Sequence, residues 1–391
     1  MGKLEKLGWG FLFLGLPWGN GSIGLLVLII SRAIGRLRRR ARVQEVNGGS
    51  AAAEDTLTWL RKLLYVMILF MGISALLSSN PLIAGLNTLA FYLVIRFTFL
   101  RIPRLIAAPS FLKRMLWAFA VSAFLSSLHG LYLYFFTGVE RARTLTQPEN
   151  TFGTVMIAGF FIPLGLFFTL RENRWRYLLI PVWGTTLAGL IFSFSRGAWA
   201  GFITGGFVFV FALAKRFPTK RALVITGVFL VLLSLAMWQV TPVRNRLNSA
   251  FDLSSGEQRF YSWESTVRIS ADAFFFGVGT GVHPIVYPLY QLPDDPQTIS
   301  LPAHNLILQL MAELGVIGTA LFFAIVFVIL YRGIRGARFR APWAWGGLAV
   351  FIGYLVRDQV DYVLYPIVSD LVILFWLLAG MFLFAPPIAE E

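Results

Sequence analysis

Apolar residues run in stretches of about 20, the length that crosses a hydrocarbon core, at 62–79, 82–100, 115–136, 152–170, 177–193, 197–214, 222–240, 305–331, 342–356 and 367–385. These runs predict membrane-spanning helices. Residues 7–34 are also apolar, but Pro17, Gly19, Asn20 and Gly21 interrupt them, so they read as one broken span or two short ones. The pattern predicts an all-α polytopic membrane protein with 11 or 12 spans. It divides the chain into an N-terminal bundle (1–240), a long loop (241–303) with an amphipathic helix near 255–275, and C-terminal spans (304–391). A polar n-region, a compact apolar core and a small-residue cleavage site do not follow one another, so no removable signal peptide is expected.

Composition agrees. Of 391 residues, 57% are hydrophobic and 14% charged, against about a quarter charged in soluble proteins, which excludes a soluble globular domain and a disordered chain. Cysteine is absent, which removes disulfides, thiolate zinc sites and cysteine nucleophiles. A net charge of +15 on a soluble surface would suggest nucleic acid. Assigning alternate loops to alternate sides changes that reading, because 23 of the 34 Lys and Arg fall on one side and 8 on the other. The richer side is cytoplasmic by the positive-inside rule, and the run from Arg36 to Arg42 becomes a topology and anionic-lipid signal with no nucleic-acid role. Placing Lys3 and Lys6 on the same side favours 12 spans.

Most connections are short, so the extracytoplasmic stretch 241–303 stands out. It carries Asp252, Glu257, Glu264, Asp272, Asp294 and Asp295 with four Arg, Gly and Pro, and a long loop on an otherwise economical membrane protein is where function is usually carried.

Three places on the outer side carry chemistry. Arg196 lies in Ser193-Phe194-Ser195-Arg196-Gly197-Ala198-Trp199, between two nearly contiguous spans. A permanent cation there, beside serine hydroxyls and the next helix's first amides, makes an anion site; the plainer alternative is a headgroup anchor or a turn-stabilising arginine. The segment Ser254 to Phe275 reads as an amphipathic helix opened by a capping box, Ser254-x-x-Glu257 or Ser255-x-x-Gln258. Its Arg259 and Arg268 are nine residues apart, about 900° of rotation, and so occupy opposite faces. Arg268 has Glu264 four residues before it and Asp272 four after, which predicts a salt-bridged surface charge. Arg259 has no acid at helical spacing, and Trp263 at i+4 can stack on it, so Arg259 is the ligand-facing cation. His304 begins the span His304-Asn305-Leu306, where an imidazole is a natural acceptor for a hydroxyl proton; helix capping is the alternative.

Other signals carry less. His129 sits inside a span without an ionisable neighbour, and His283 lies in a Gly-Pro-rich turn. Glu313 is nine residues after His304, about 13.5 Å further along the helix and facing away, which predicts packing against another span. Gly277-Val278-Gly279-Thr280-Gly281 looks like a phosphate loop but follows a helix, not a strand. No Asp-x-Asp occurs, and the first outer turn, Ser78-Ser79-Asn80-Pro81, has no carboxylate, so acidic metal ligands for a lipid phosphate are not expected.

The run Ser195-Arg196-Gly197-Ala198-Trp199, the Arg259-to-Trp263 helix leading into Gly277-Val278-Gly279, and the segment His304-Asn305, Leu308-Gln309, Glu313-Leu314-Gly315 together resemble the O-antigen ligase and polymerase family, in the right order and on one side, over about 150–330. The resemblance implies a GT-C-like membrane glycosyltransferase that needs no metal or cofactor. Its donor would be a glycan on undecaprenyl diphosphate at the outer face of the bacterial cytoplasmic membrane. Arg196 and Arg259 would hold the diphosphate, and His304 would orient or deprotonate the acceptor hydroxyl, with Ser195, Asn305 and Trp263 in support. A ligase would pass the glycan to a lipid A core or another surface acceptor; a polymerase would pass it to a second lipid-linked repeat. A transporter or flippase is the third reading, and it predicts charges lining a path at mid-span, whereas here the candidates cluster at the outer edge and near-span charges such as Arg96 and Asp370 are few.

Overall fold

The computed structural model describes residues 2–39, 51–170, 173–216, 241, 244–245, 254–295, 302–336, 342–360 and 369–385, and among these no strand occurs. The expected span at 222–240 lies outside the described residues. Seven of the described helices are long and apolar enough to cross a membrane: Thr58–Leu77, Pro81–Ile106, Pro109–Phe136, Glu149–Thr169, Arg174–Phe192, Arg196–Leu213 and Leu306–Arg335. The protein is an all-α polytopic membrane protein.

At the N-terminus the break resolves into two helices, α1 (Lys3–Gly15) and α2 (Gly21–Arg39), joined by the 3-10 turn Leu16–Trp18. Pro17 opens that turn and Gly19 closes it in the left-handed region at φ 77°. The pair runs antiparallel, with Gly8 against Leu28 and Gly24 against Leu12. Then follow α3 (Ala51–Leu77), α4 (Pro81–Phe97), α5 (Ile102–Ile106), α6 (Pro109–Phe136), α7 (Glu149–Thr169), α8 (Ile180–Phe192) and α9 (Arg196–Arg216). The predicted amphipathic segment is α10 (Ser254–Asp272), which ends three residues short of Phe275; the side chains of its proposed capping box lie outside the described ones. The chain continues through α11 (His283–Val286), α12 (Leu306–Gly336), α13 (Pro342–Arg357) and α14 (Asp370–Phe384).

The centre of the bundle is α7, α13 and α14. Every described residue from Leu371 to Leu383 on α14 is buried, as expected of a helix apolar all round. Phe351 of α13 stacks on Phe375 of α14 with ring centroids 4.4 Å apart. Helix α13 lies between α7 and α9. It touches α9 most closely at Gly201 and Gly353, where a β-carbon on Gly201 would come within 2.5 Å of the Gly353 carbonyl oxygen and one on Gly353 within 2.6 Å of the Gly201 oxygen. Small residues that let two backbones touch are how apolar helices associate where lipid offers no hydrophobic contrast. This contact sets the first turn of α9 beside the last turn of α13.

Candidate functional site

The Arg196 turn is built by short-range hydrogen bonds. Helix α8 ends at Phe192, and Ser193 Oγ donates to the Leu190 carbonyl at 2.7 Å. Ser195 is buried; its N–H donates to Ser193 Oγ at 3.3 Å, and its own Oγ accepts the Ala198 N–H at 3.4 Å, which caps α9. Arg196 is thus the first residue of α9, at the positive end of the helix dipole. Trp199 ties the turn from below by donating its indole N–H to the Leu190 carbonyl at 3.0 Å. A second arginine, Arg141, clamps the turn from above: its Nε donates to the Ser193 carbonyl at 2.8 Å and its Nη2 to Asn150 Oδ1 at 2.7 Å. In the sequence Arg141 counts only as one more outer-side base, because a 52-residue separation hides the contact.

The His304 turn is held from three sides. Trp263 of α10 donates its indole N–H to the Ala303 carbonyl at 2.7 Å, and Ser262 Oγ donates to the Pro302 carbonyl at 3.4 Å. The Ala303 N–H donates to Gln309 Oε1 at 2.8 Å. On the far side Asn305 Nδ2 donates to the Gln359 carbonyl at 3.1 Å, and the Leu306 N–H donates to the Asp358 carbonyl at 2.8 Å. Helix α12 begins at Leu306, so His304 precedes the helix instead of opening it; Asn305 is the cap, accepting the Leu308 N–H at 3.1 Å. His304 itself is half-buried.

Phe194 and His304 are the non-glycine residues at positive φ among the described residues, both at 49°. Each stands immediately before the capping residue of its helix. A bulky residue held in that region costs free energy, and such strain persists where the surroundings fix it, commonly at functional sites.

Both turns meet the same four residues, Arg357–Val360. Gly197 packs on Val360 and Arg357, where an added β-carbon would lie 2.9 Å from Val360 Cγ2 and 3.5 Å from Arg357 Cγ. Asp358 and Gln359 take the Leu306 and Asn305 hydrogen bonds just described. Arg357 is 0% exposed, and its Nη1 pairs with Asp358 Oδ1 at 2.9 Å. Sequence reasoning missed this buried pair and left Arg357 among the outer bases, although an Arg-Asp dipeptide ending an apolar run is a signal that can be read.

Helix α10 buries Ser262, Ser265, Thr266 and Ile269. Arg259 is half-buried and lies two turns from Thr266 on that same side, so it belongs to the face turned to the protein. Arg268 is exposed and donates to Glu264 Oε1 at 3.1 Å. Two expectations change. Asp272 accepts from the Tyr290 hydroxyl at 2.7 Å instead of serving Arg268, and Trp263 makes no ring contact with Arg259 among the described residues, because its indole N–H is drawn to the Ala303 carbonyl.

Glu313 also departs from expectation. Its fully buried carboxylate accepts the Gly281 N–H at 2.9 Å and the Gln309 side-chain N–H at 2.9 Å. Its partner is the glycine loop, not another span. The same loop gives its Val278 and Gly279 N–H groups to the Ala312 and Glu313 carbonyls at 2.8 and 3.0 Å, so these amides hold α12 and are not free to cradle a phosphate. Gln309 therefore joins Glu313 to Ala303, the residue before His304. Nearby, His283 is fully buried with Nε2 3.0 Å from Thr266 Oγ1, and burial lowers its pKa to about 4. Tyr287 donates to Asp295 Oδ2 at 2.8 Å, and burial first, then that hydrogen bond, raise its phenol to about 12. Among the described residues no group of three or more His, Cys, Asp or Glu is placed to hold a metal ion.

A family model described as O-antigen ligase matches residues 182–323. The match takes in the Arg196 turn, α10, the glycine loop, the His304 turn and Glu313, and it leaves α13 outside. No curated protein matches the chain. Over residues 182–323 the chain is thus similar to the O-antigen ligase family.

Proposed function

We propose that the protein is a membrane glycosyltransferase that moves a glycan from undecaprenyl diphosphate to an acceptor hydroxyl, on a lipid A core or another surface molecule, at the outer face of the bacterial cytoplasmic membrane. Arg196 and Arg259 bind the diphosphate, and His304 is the base. The observation that carries this reading is the meeting of the two strained turns on Arg357–Val360, with the half-buried Arg259 on the helix that anchors Ala303.

The chemistry balances without a nucleotide. The acceptor oxygen attacks the anomeric carbon as the bond from that carbon to the diphosphate oxygen breaks, and the acceptor proton passes to the His304 imidazole. Negative charge grows on the departing diphosphate, where planar guanidiniums and the first turn of α9 stabilise it. Attack opposite the leaving group inverts the anomeric configuration. Two guanidiniums supply the charge stabilisation that a metal would otherwise give, so the reaction is metal-independent.

The test is reconstitution in vesicles with a glycan-charged undecaprenyl diphosphate and an excess of chelator. Release of lipid diphosphate with a single transfer product supports a ligase. A ladder of products converts the reading to a polymerase, and glycan crossing the bilayer with the diphosphate bond intact returns it to transport.

A further inference from the structure

Apart from the arginine and histidine turns, a cavity of about 290 Å³ lies between the turn joining α1 to α2, the start of α7 and the start of α14. Its walls carry Ser22, Thr146, Gln147, Thr151, Ser369 and Asp370, hence hydroxyls, one amide and one carboxylate, and no Lys or Arg. Asp370 Oδ1 accepts the Ser22 N–H at 3.2 Å. Its other oxygen lies 3.4 Å from where a β-carbon on Gly19 would stand, and Gly19 adopts φ 77°, so glycine at this position keeps that oxygen open to the cavity. The Ser22 and Thr151 hydroxyls make no hydrogen bond among the described residues. The cavity is joined to the site already described, because Thr151 follows Asn150, the residue that takes Arg141 Nη2, and Arg141 holds the Ser193 carbonyl.

This lining selects among ligands. A diphosphate would meet a carboxylate and no cation. A hard divalent cation asks for roughly six to eight oxygens, usually with several carboxylates, and only one is present. Pockets for drug-sized ligands span about 300–1,000 Å³, so this one suits a single ring. A neutral sugar donates adjacent hydroxyls to a carboxylate and accepts from hydroxyl groups, and Asp370 with the Ser22 and Thr151 hydroxyls offers both, while the Gln147 amide and the Thr146 hydroxyl already donate to the Leu16 and Trp18 carbonyls and shape the wall.

We propose that this cavity is a sugar subsite that seats one neutral pyranose of the glycan. The source of that sugar rests on the glycosyl-transfer reading above, whereas the binding itself is testable without transfer. The experiment is saturation-transfer NMR on the full chain in nanodiscs with methyl glycosides of glucose, galactose and N-acetylglucosamine at millimolar concentration, comparing the native protein with Asp370→Asn, Thr151→Leu and His304→Ala. The expected result is that at least one glycoside binds, that His304→Ala keeps the signal, and that Asp370→Asn and Thr151→Leu each weaken it roughly tenfold, as loss of a charge-assisted hydrogen bond does. Asn at 370 still accepts the Ser22 N–H, and if Thr151→Leu lowers the melting midpoint, Ser22→Leu at an exposed position reads the same loss. Absence of binding by every glycoside, binding unchanged in the cavity variants, or calcium binding that Asp370→Asn abolishes while no sugar binds, each overturns the proposal. Sugar binding by a protein that releases no lipid diphosphate would sink the transfer reading and leave the subsite standing; transfer by a protein that binds no glycoside would do the reverse.

Discussion

The Asp358 carbonyl accepts the Leu306 N–H at 2.8 Å while the Asp358 carboxylate pairs with the buried Arg357 guanidinium at 2.9 Å. One residue therefore both neutralises a charge in the core and sets where the His304 turn begins. Replacing Asp358 with Ala removes the carboxylate from a fully buried arginine, and the expected cost is about 3–5 kcal/mol. Thermal unfolding in detergent measures it, and the double variant Arg357→Met, Asp358→Leu is expected to recover most of the loss.

Arg259→Lys is expected to lower transfer by about 100-fold or more, the scale of losing one aligned donor to developing charge, because a point charge cannot replace the planar fork. Arg268→Lys is expected to stay within about twofold, since an exposed i,i+4 pair contributes only about 0.3–0.5 kcal/mol. Initial rates with lipid-linked donor compare the two; the opposite ranking would show that α10 presents its other face.

His304→Ala is expected to cut turnover by about 10²–10⁴, the range of a positioned general base, with donor binding retained. Binding of lipid-linked donor by the variant, followed alongside single-turnover transfer, separates the effects, and near-normal turnover removes His304 as the base.

His283 makes stability depend on pH. Its folded pKa of about 4 lies below the ordinary value of 6.5, so between these values the unfolded chain binds more protons than the folded one. The stabilisation is complete above about pH 6.5, declines as pH falls and is gone below about pH 4, a change of about 3 kcal/mol. Melting midpoints from pH 4 to 8 test this, and His283→Gln is expected to flatten the profile.

Apolar runs of spanning length made the helical class legible, and Pro17 with Gly19 marked the break between α1 and α2. The positions of Arg196, Arg259, His304 and Arg268 on their elements could be reasoned from spacing, since helical geometry relates neighbours up to a few turns apart. What spacing cannot encode is contact between remote segments. Arg141 on Ser193, Glu313 on the glycine loop and Asp358 on Leu306 each join residues 32 to 52 apart. For Trp263 a local rule proposed a ring contact, and a stronger bond to a carbonyl 40 residues away won. The start of α12 moved by two residues because the side chain of Asn305, not that of His304, can accept the amide of the first turn.

Where α9 passes α13, main chain lies on main chain, and such a joint does not hinge. By contrast, α10 is tied to the Pro302–Asn305 stretch by individual side-chain bonds such as that of Trp263, each of which can be lost without parting two backbones.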